Sequence, residues 1–97
     1  MGLFSNDKVK RLKDIPNDLV TYITIEGEAV KDKNDKLLIT SYAQGKLKTI
    51  DWYIQLIDAR SEKYIVPHSR DYLVDVRNQI RAAVNRIMAR PVPERKN

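Results

Sequence analysis

Cysteine is absent from the 97-residue chain, and histidine occurs only once, at position 68. Without cysteine the chain can form no disulfide, no thiolate metal site and no thiol nucleophile. Its three glycines lie far apart in the sequence, so none belongs to a glycine-rich phosphate loop. His68 lies between a proline and a candidate helix cap, a position typical of a capping or solvent-exposed side chain. We therefore expect no enzymatic activity, no cofactor and no bound metal.

Long apolar runs are also missing, since the longest one contains three residues. A transmembrane helix needs about 20 consecutive apolar residues. The first residues lack the charged region and the apolar stretch of a secretory signal. These features predict a soluble, cytoplasmic protein with no transmembrane segment, for which contact with a membrane surface is not expected.

Composition and charge indicate one small basic domain. Apolar residues make up 42% of the chain and charged residues 32%, as in ordinary globular domains. We expect an N-terminal segment over 1–18, a single domain over 19–90 and a flexible basic tail over 91–97. The net charge is +5, and residues 69–97 hold seven basic and three acidic side chains. This uneven distribution favours an anionic partner or surface.

An alternation of apolar and polar residues predicts four β-strands. Their expected ranges are 19–30, 36–42, 47–58 and 62–66. Short polar turns separate them, and Gly45 is expected to take a positive φ in the second turn. The third strand has the clearest alternation, with Trp52 on the same side as Ile50 and Ile54.

A long helix is predicted after the strands. Ser69 is a suitable N-cap, Asp71 lies in the first turn, and Pro91 ends the helix. Its apolar stripe consists of Leu73, Val76, Ile80, Ala83, Val84 and Ile87. The sequence thus predicts an α+β fold, in which a four-stranded antiparallel β-meander packs against one long C-terminal amphipathic α-helix. A short N-terminal helix over 5–14 completes the expected fold.

Candidate binding residues follow from this arrangement. The side of the sheet opposite Trp52 would carry one tyrosine per strand, namely Tyr22, Tyr42, Tyr53 and Tyr64. Exposed aromatic rings can stack on unpaired bases while nearby cations, here Lys46 and Lys48, contact phosphates. The same rings are equally typical of cross-strand packing or of a subunit interface. On the helix, Arg77 and Arg81 form a basic edge, or simply flank the core with solvated head groups.

We therefore expect a non-enzymatic binding or assembly module that associates with itself or with another protein. A role in binding DNA or RNA through the tyrosine-bearing sheet face and the basic helix is the most specific hypothesis. The alternative is a protein-binding adaptor or structural subunit, for example of a phage particle or a secretion assembly, without a nucleic-acid role.

Overall fold

Helices dominate the computed structural model, which describes residues 9–93. In chain order the elements are β1 (Lys10–Arg11), α1 (Leu19–Glu28), α2 (Lys33–Asp58), β2 (Tyr64–Ile65) and α3 (Arg70–Ala89). The predicted four-stranded antiparallel meander is therefore wrong. Helices α1 and α2 occupy the ranges expected for the first three strands. The fourth predicted strand is reduced to the two residues of β2.

The spacing of the buried residues in α2 explains why this segment is helical. Its apolar buried positions are Ile39, Ala43, Leu47, Ile50, Tyr53 and Ile54. Most of them recur every three or four residues, which places them on one side of a helix. Trp52, which a strand would place beside Ile50 and Ile54, is exposed instead. The alternation around Trp52 was thus a fragment of a longer helical pattern.

Gly45 lies inside α2 and not in a turn, and no glycine of the described chain has a positive φ. A single glycine costs a helix about 1 kcal/mol relative to alanine, which tertiary packing can offset. Proline would break the helix more strongly, but none lies between Pro16 and Pro67. Helix α2 begins after Asp32, whose side chain accepts a hydrogen bond from the Asp35 backbone N–H at 2.9 Å.

Helix α3 confirms the prediction of a capped amphipathic helix. The Ser69 side chain accepts a hydrogen bond from the Tyr72 backbone N–H at 3.1 Å. The helix ends at Ala89, shortly before Pro91. All six residues of the predicted apolar stripe are buried.

Helices α2 and α3 form an antiparallel hairpin, and α1 packs against both of them. At one end the Arg70 guanidinium contacts the Asp58 carboxylate at 2.8 Å. At the other end the Lys36 ammonium donates to the Met88 carbonyl at 3.1 Å. Helix α1 lies close to α3 at Gly27, where an added Cβ would lie 2.5 Å from Ile87 Cδ1. A side chain at this position would therefore force the Ile87 side chain to shift.

Residues 9–16, here called the strap, run in an extended path across the end of the hairpin. Within it β1 pairs in parallel with β2, with Lys10 opposite Tyr64. The predicted short helix over 5–14 is wrong for residues 9–14, which are not helical. Residues 5–8 of that prediction, and residues 94–97 of the predicted tail, lie outside the described residues. Across 9–93, no helix is both long enough and apolar enough to cross a membrane.

Candidate functional site

Three aromatic side chains hold the strap against the helical hairpin. The Tyr53 hydroxyl donates to the Lys13 carbonyl at 2.7 Å, and the Tyr72 hydroxyl donates to the Ile15 carbonyl at 2.8 Å. The Ile15 backbone N–H donates to His68 Nε2 at 2.7 Å. The histidine therefore serves the attachment of the strap.

Tyr53 is consequently part of the interior. Its side chain is only 4% exposed, so the prediction that it lies on an open face is wrong. Burial, assisted by the nearby Asp14 carboxylate, raises the pKa of Tyr53 above that of a free tyrosine. A ring in this position cannot stack on a ligand from solution.

Tyr22 and Tyr42 form an exposed pair at the contact between α1 and α2. Their ring centroids lie 5.4 Å apart at an interplanar angle of 67°, an edge-to-face geometry. The side chains remain 48% and 41% exposed, respectively. The Lys46 ammonium lies 5.3 Å from the centroid of the Tyr42 ring, within cation–π range. The structure thus brings together three of the residues singled out in the sequence.

A shallow groove continues from this pair between α1 and the first half of α2. Its lining consists of Tyr22, Glu26, Ala29, Val30, Asp35, Leu38, Ile39 and Tyr42, and we call it the tyrosine groove. Leu38 lies one turn from Tyr42 on the same helix and is 62% exposed. The only charged side chains in this lining are the carboxylates of Glu26 and Asp35.

A second depression lies beyond the tyrosine pair, between the strap and α2. It is lined by Lys10, Arg11, Leu12, Lys13, Asp14, Ile15, Pro16, Leu19, Lys46, Thr49 and Tyr53, and we call it the strap cleft. Four of its side chains are cationic and one is anionic. The Arg11–Asp14 ion pair is 3.8 Å long and well exposed, so it neutralises this charge only weakly.

Both depressions lie on the same side of α2. The α2 residues that line them, from Asp35 through Tyr42 and Lys46 to Tyr53, recur every three or four positions. Together the tyrosine groove and the strap cleft form a surface that we call the α1/α2 face. Along this face, carboxylates mark one end, apolar side chains the middle and cations the other end.

Tyr64 lies elsewhere. Its ring contacts the Trp52 ring at 5.2 Å in an edge-to-face arrangement, and it lines neither depression. The four tyrosines predicted to share one surface are therefore divided between an exposed pair, a buried residue and a partly buried residue. Base stacking on a common platform has no geometric basis here.

The predicted basic edge of α3 is partly neutralised. The Arg77 guanidinium lies 3.5 Å from the Asp51 carboxylate, whereas Arg81 is exposed. Lys48 lines a separate depression with Met88 and Thr40, so it does not belong to the α1/α2 face. At the C-terminal end of α2, the hydrogen bond that Arg70 donates lowers the pKa of the Asp58 carboxyl.

Sequence reasoning missed Leu38 and Glu26 as surface candidates. Leu38, Tyr42 and Lys46 follow each other at intervals of four, which places them side by side on any helix. Reading that interval as helical would have identified the centre of the α1/α2 face.

The residues from 9 to 93 contain no cluster of three or more potential metal ligands. No protein-family model, curated protein or solved structure matches the chain.

Proposed function

We propose that the chain is a small, non-enzymatic assembly module that self-associates through its α1/α2 face. The observation that carries this proposal is the exposure of Leu38, Tyr22 and Tyr42 beside one another along the tyrosine groove. Contiguous apolar surface of this kind often marks an interaction site. Tyrosine is also enriched at protein interfaces, where its ring is buried and its hydroxyl keeps a polar contact.

Ile25 extends this apolar surface along α1. It follows Tyr22 by one turn of the helix and is 57% exposed. Because α1 also contributes Ile23 to the core, the helix has apolar side chains both inside and outside. Burial of the outer side chains in an interface would stabilise the dimer by about 25 cal/mol for each Å² of apolar surface removed from water.

The same geometry supports protein binding over nucleic-acid binding on this face. The tyrosine groove contributes carboxylates, which repel phosphates, and the Tyr22 and Tyr42 rings pack against each other edge to face. Binding of DNA or RNA remains a prediction, and exposed Lys48 and Arg81 are the residues on which it would depend.

Self-association is tested by sedimentation equilibrium across a concentration series, comparing wild type with Leu38→Glu and Leu37→Glu. The two leucines are neighbours with the same exposure of 62%, but only Leu38 lines the tyrosine groove. We expect the wild type to reach twice the mass of one chain. Leu38→Glu should weaken the dimer about tenfold or more because it places a carboxylate in the interface.

Leu37→Glu serves as the control and should change the dissociation constant by less than about twofold. A wild type that stays monomeric at every concentration would refute the proposal, as would equal effects of the two substitutions. A parallel titration with a fluorescein-labelled single-stranded oligonucleotide tests the nucleic-acid alternative. Salt-sensitive binding that is lost in Arg81→Ala, combined with a monomeric protein, would favour that alternative.

A further inference from the structure

The charges along the α1/α2 face have an order that determines how two copies can meet. Glu26 and Asp35 lie at the end of the face where α1 finishes and α2 starts. Lys46, with Lys10 and Lys13 of the strap, lies at the opposite end. Between these ends are the apolar side chains of the tyrosine groove. The face therefore has a direction, from negative to positive along α2.

From this order we infer that two copies pack face to face with their α2 helices antiparallel, so that Lys46 of each copy lies against the acidic end of the other. This inference rests on the proposed self-association and specifies its geometry. The partner is a second copy of the chain. The two-fold axis lies between the two α2 helices, at right angles to them, at the level midway between Leu38 and Tyr42.

Symmetry limits the alternatives. Two identical faces joined by a closed two-fold contact are related by an axis that lies in the plane between them. An axis parallel to α2 keeps both helices in the same direction and brings Lys46 against Lys46. An axis perpendicular to α2 reverses the second helix and brings positive ends against negative ends. Like charges facing each other in an interface are strongly unfavourable, so the perpendicular axis is preferred.

The apolar residues fit the same axis. An axis that passes between Leu38 and Tyr42 places Leu38 of each copy beside Tyr42 of the other. Lys46 follows Tyr42 by one turn, and Asp35 precedes Leu38 by nearly one turn. The same operation thus brings the Lys46 ammonium to the level of the other copy's Asp35, with Glu26 across the groove. The apolar contacts and the ionic contacts are therefore formed in the same register of the two α2 helices.

The test is a mixing experiment with two charge reversals, Lys46→Glu and Glu26→Lys, followed by sedimentation equilibrium and native mass spectrometry. Glu26 is chosen for reversal because Asp35 also accepts a hydrogen bond from the Lys31 backbone N–H near the start of α2. Each variant alone brings like charges together in its own dimer. In a mixed dimer, both contacts again join opposite charges.

We expect each variant alone to dimerise about tenfold more weakly than wild type, and the equimolar mixture to return to within about threefold of wild type. The heterodimer should dominate the mass spectrum. In about 1 M salt, where the screening length falls to about 3 Å, the differences between variants and wild type should largely vanish.

Two control variants carry the same changes of charge outside the face. Lys48→Glu lies in the depression beside Met88, and Glu28→Lys lies in the cleft between α1 and α3. Neither should change the dissociation constant by more than about twofold, and mixing them should have no effect. Circular dichroism of all four variants establishes that they fold.

Two results would overturn the antiparallel geometry while leaving self-association intact. One is a wild-type dimer whose single variants are unimpaired but whose mixture is tighter than wild type, which indicates parallel α2 helices. The other is impaired single variants that mixing does not rescue, which means that Lys46 does not meet the acidic end. A monomeric wild type would instead remove the proposed function itself.

Discussion

Tyr53 and Tyr42 lie on the same side of α2, yet their surroundings differ completely. At the strap end, Tyr53 is buried and its hydroxyl donates to the Lys13 carbonyl. In the tyrosine groove, Tyr42 is exposed, and its ring packs edge to face with Tyr22 and lies near the Lys46 ammonium. One residue type thus joins segments of the fold at one region and is presented to solvent at the other.

The difference between the two regions separates stability from association. Side chains beneath the strap contribute to folding because their removal leaves cavities or unpaired polar groups. Tyr22, Leu38 and Tyr42 of the tyrosine groove are exposed in the single chain, so their replacement changes little in its free energy of unfolding. Their effect is expected in the dissociation constant of the dimer.

The largest expected effect comes from a comparison of a buried isoleucine in the strap with an exposed isoleucine one turn from Tyr22 on α1. Ile15 of the strap is buried, and Ile15→Ala should lower the free energy of unfolding by about 2–4 kcal/mol through lost burial and a cavity. Ile25 of α1 is exposed, and Ile25→Ala should change it by less than about 0.5 kcal/mol. Urea denaturation, monitored by the fluorescence of Trp52, measures both.

Self-association would add to apparent stability, so both isoleucine variants are best compared in the Leu38→Glu background. Equal losses of stability for the two substitutions would show that the strap is not part of the cooperative core. A smaller loss for Ile15→Ala than for Ile25→Ala would contradict the distinction between the two regions.

Local sequence signals were sufficient for α3 and misleading for α2. The cap at Ser69, the apolar stripe and Pro91 all act within the helix that they define, so α3 was predicted correctly. In α1 and α2, residues such as Ile23, Thr24 and Ile54 have high β-propensity. Packing of the helical stripe of each segment against α3 overrides that propensity, and local composition does not report this packing.

The strap could not have been predicted from local patterns. Its hydrogen bonds join Lys13 to Tyr53 and Ile15 to both His68 and Tyr72, across separations of 40, 53 and 57 residues. The candidate site was found in part, because Tyr22, Tyr42 and Lys46 were selected for a sheet face and lie together on a helical one. Their grouping depends on the antiparallel arrangement of α1 and α2.

Removal of a tyrosine hydroxyl should lower the free energy of unfolding moderately beneath the strap and hardly at all in the tyrosine groove. Tyr53→Phe keeps the ring but leaves the Lys13 carbonyl without its donor, which should cost about 1–2 kcal/mol of stability. Tyr42→Phe removes an exposed hydroxyl and should leave the free energy of unfolding within about 0.5 kcal/mol of wild type. Urea denaturation at neutral pH measures the free energy of unfolding of both variants. A loss of stability in Tyr42→Phe as large as in Tyr53→Phe would contradict this prediction.

The smallest expected effect is the contribution of Tyr53, beneath the strap, to stability at alkaline pH. Burial and the Asp14 carboxylate raise the pKa of Tyr53 above the ordinary value of 10.0. The unfolded chain therefore loses this proton at lower pH than the folded chain does. The resulting stabilisation is complete below pH 10 and is lost as the pH rises through the raised pKa, since the phenolate can no longer donate to Lys13.

The stability advantage of wild type over Tyr53→Phe should accordingly shrink as the pH rises above about 10, the ordinary value for tyrosine. Comparison with Tyr53→Phe cancels the titration of the lysines, which both proteins share. Burial also raises the pKa of Tyr72, so Tyr72→Phe should behave in the same way. An advantage that stays constant through this range would mean that Tyr53 ionises in the folded protein as readily as in the unfolded chain, and that the strap leaves its hydroxyl open to water.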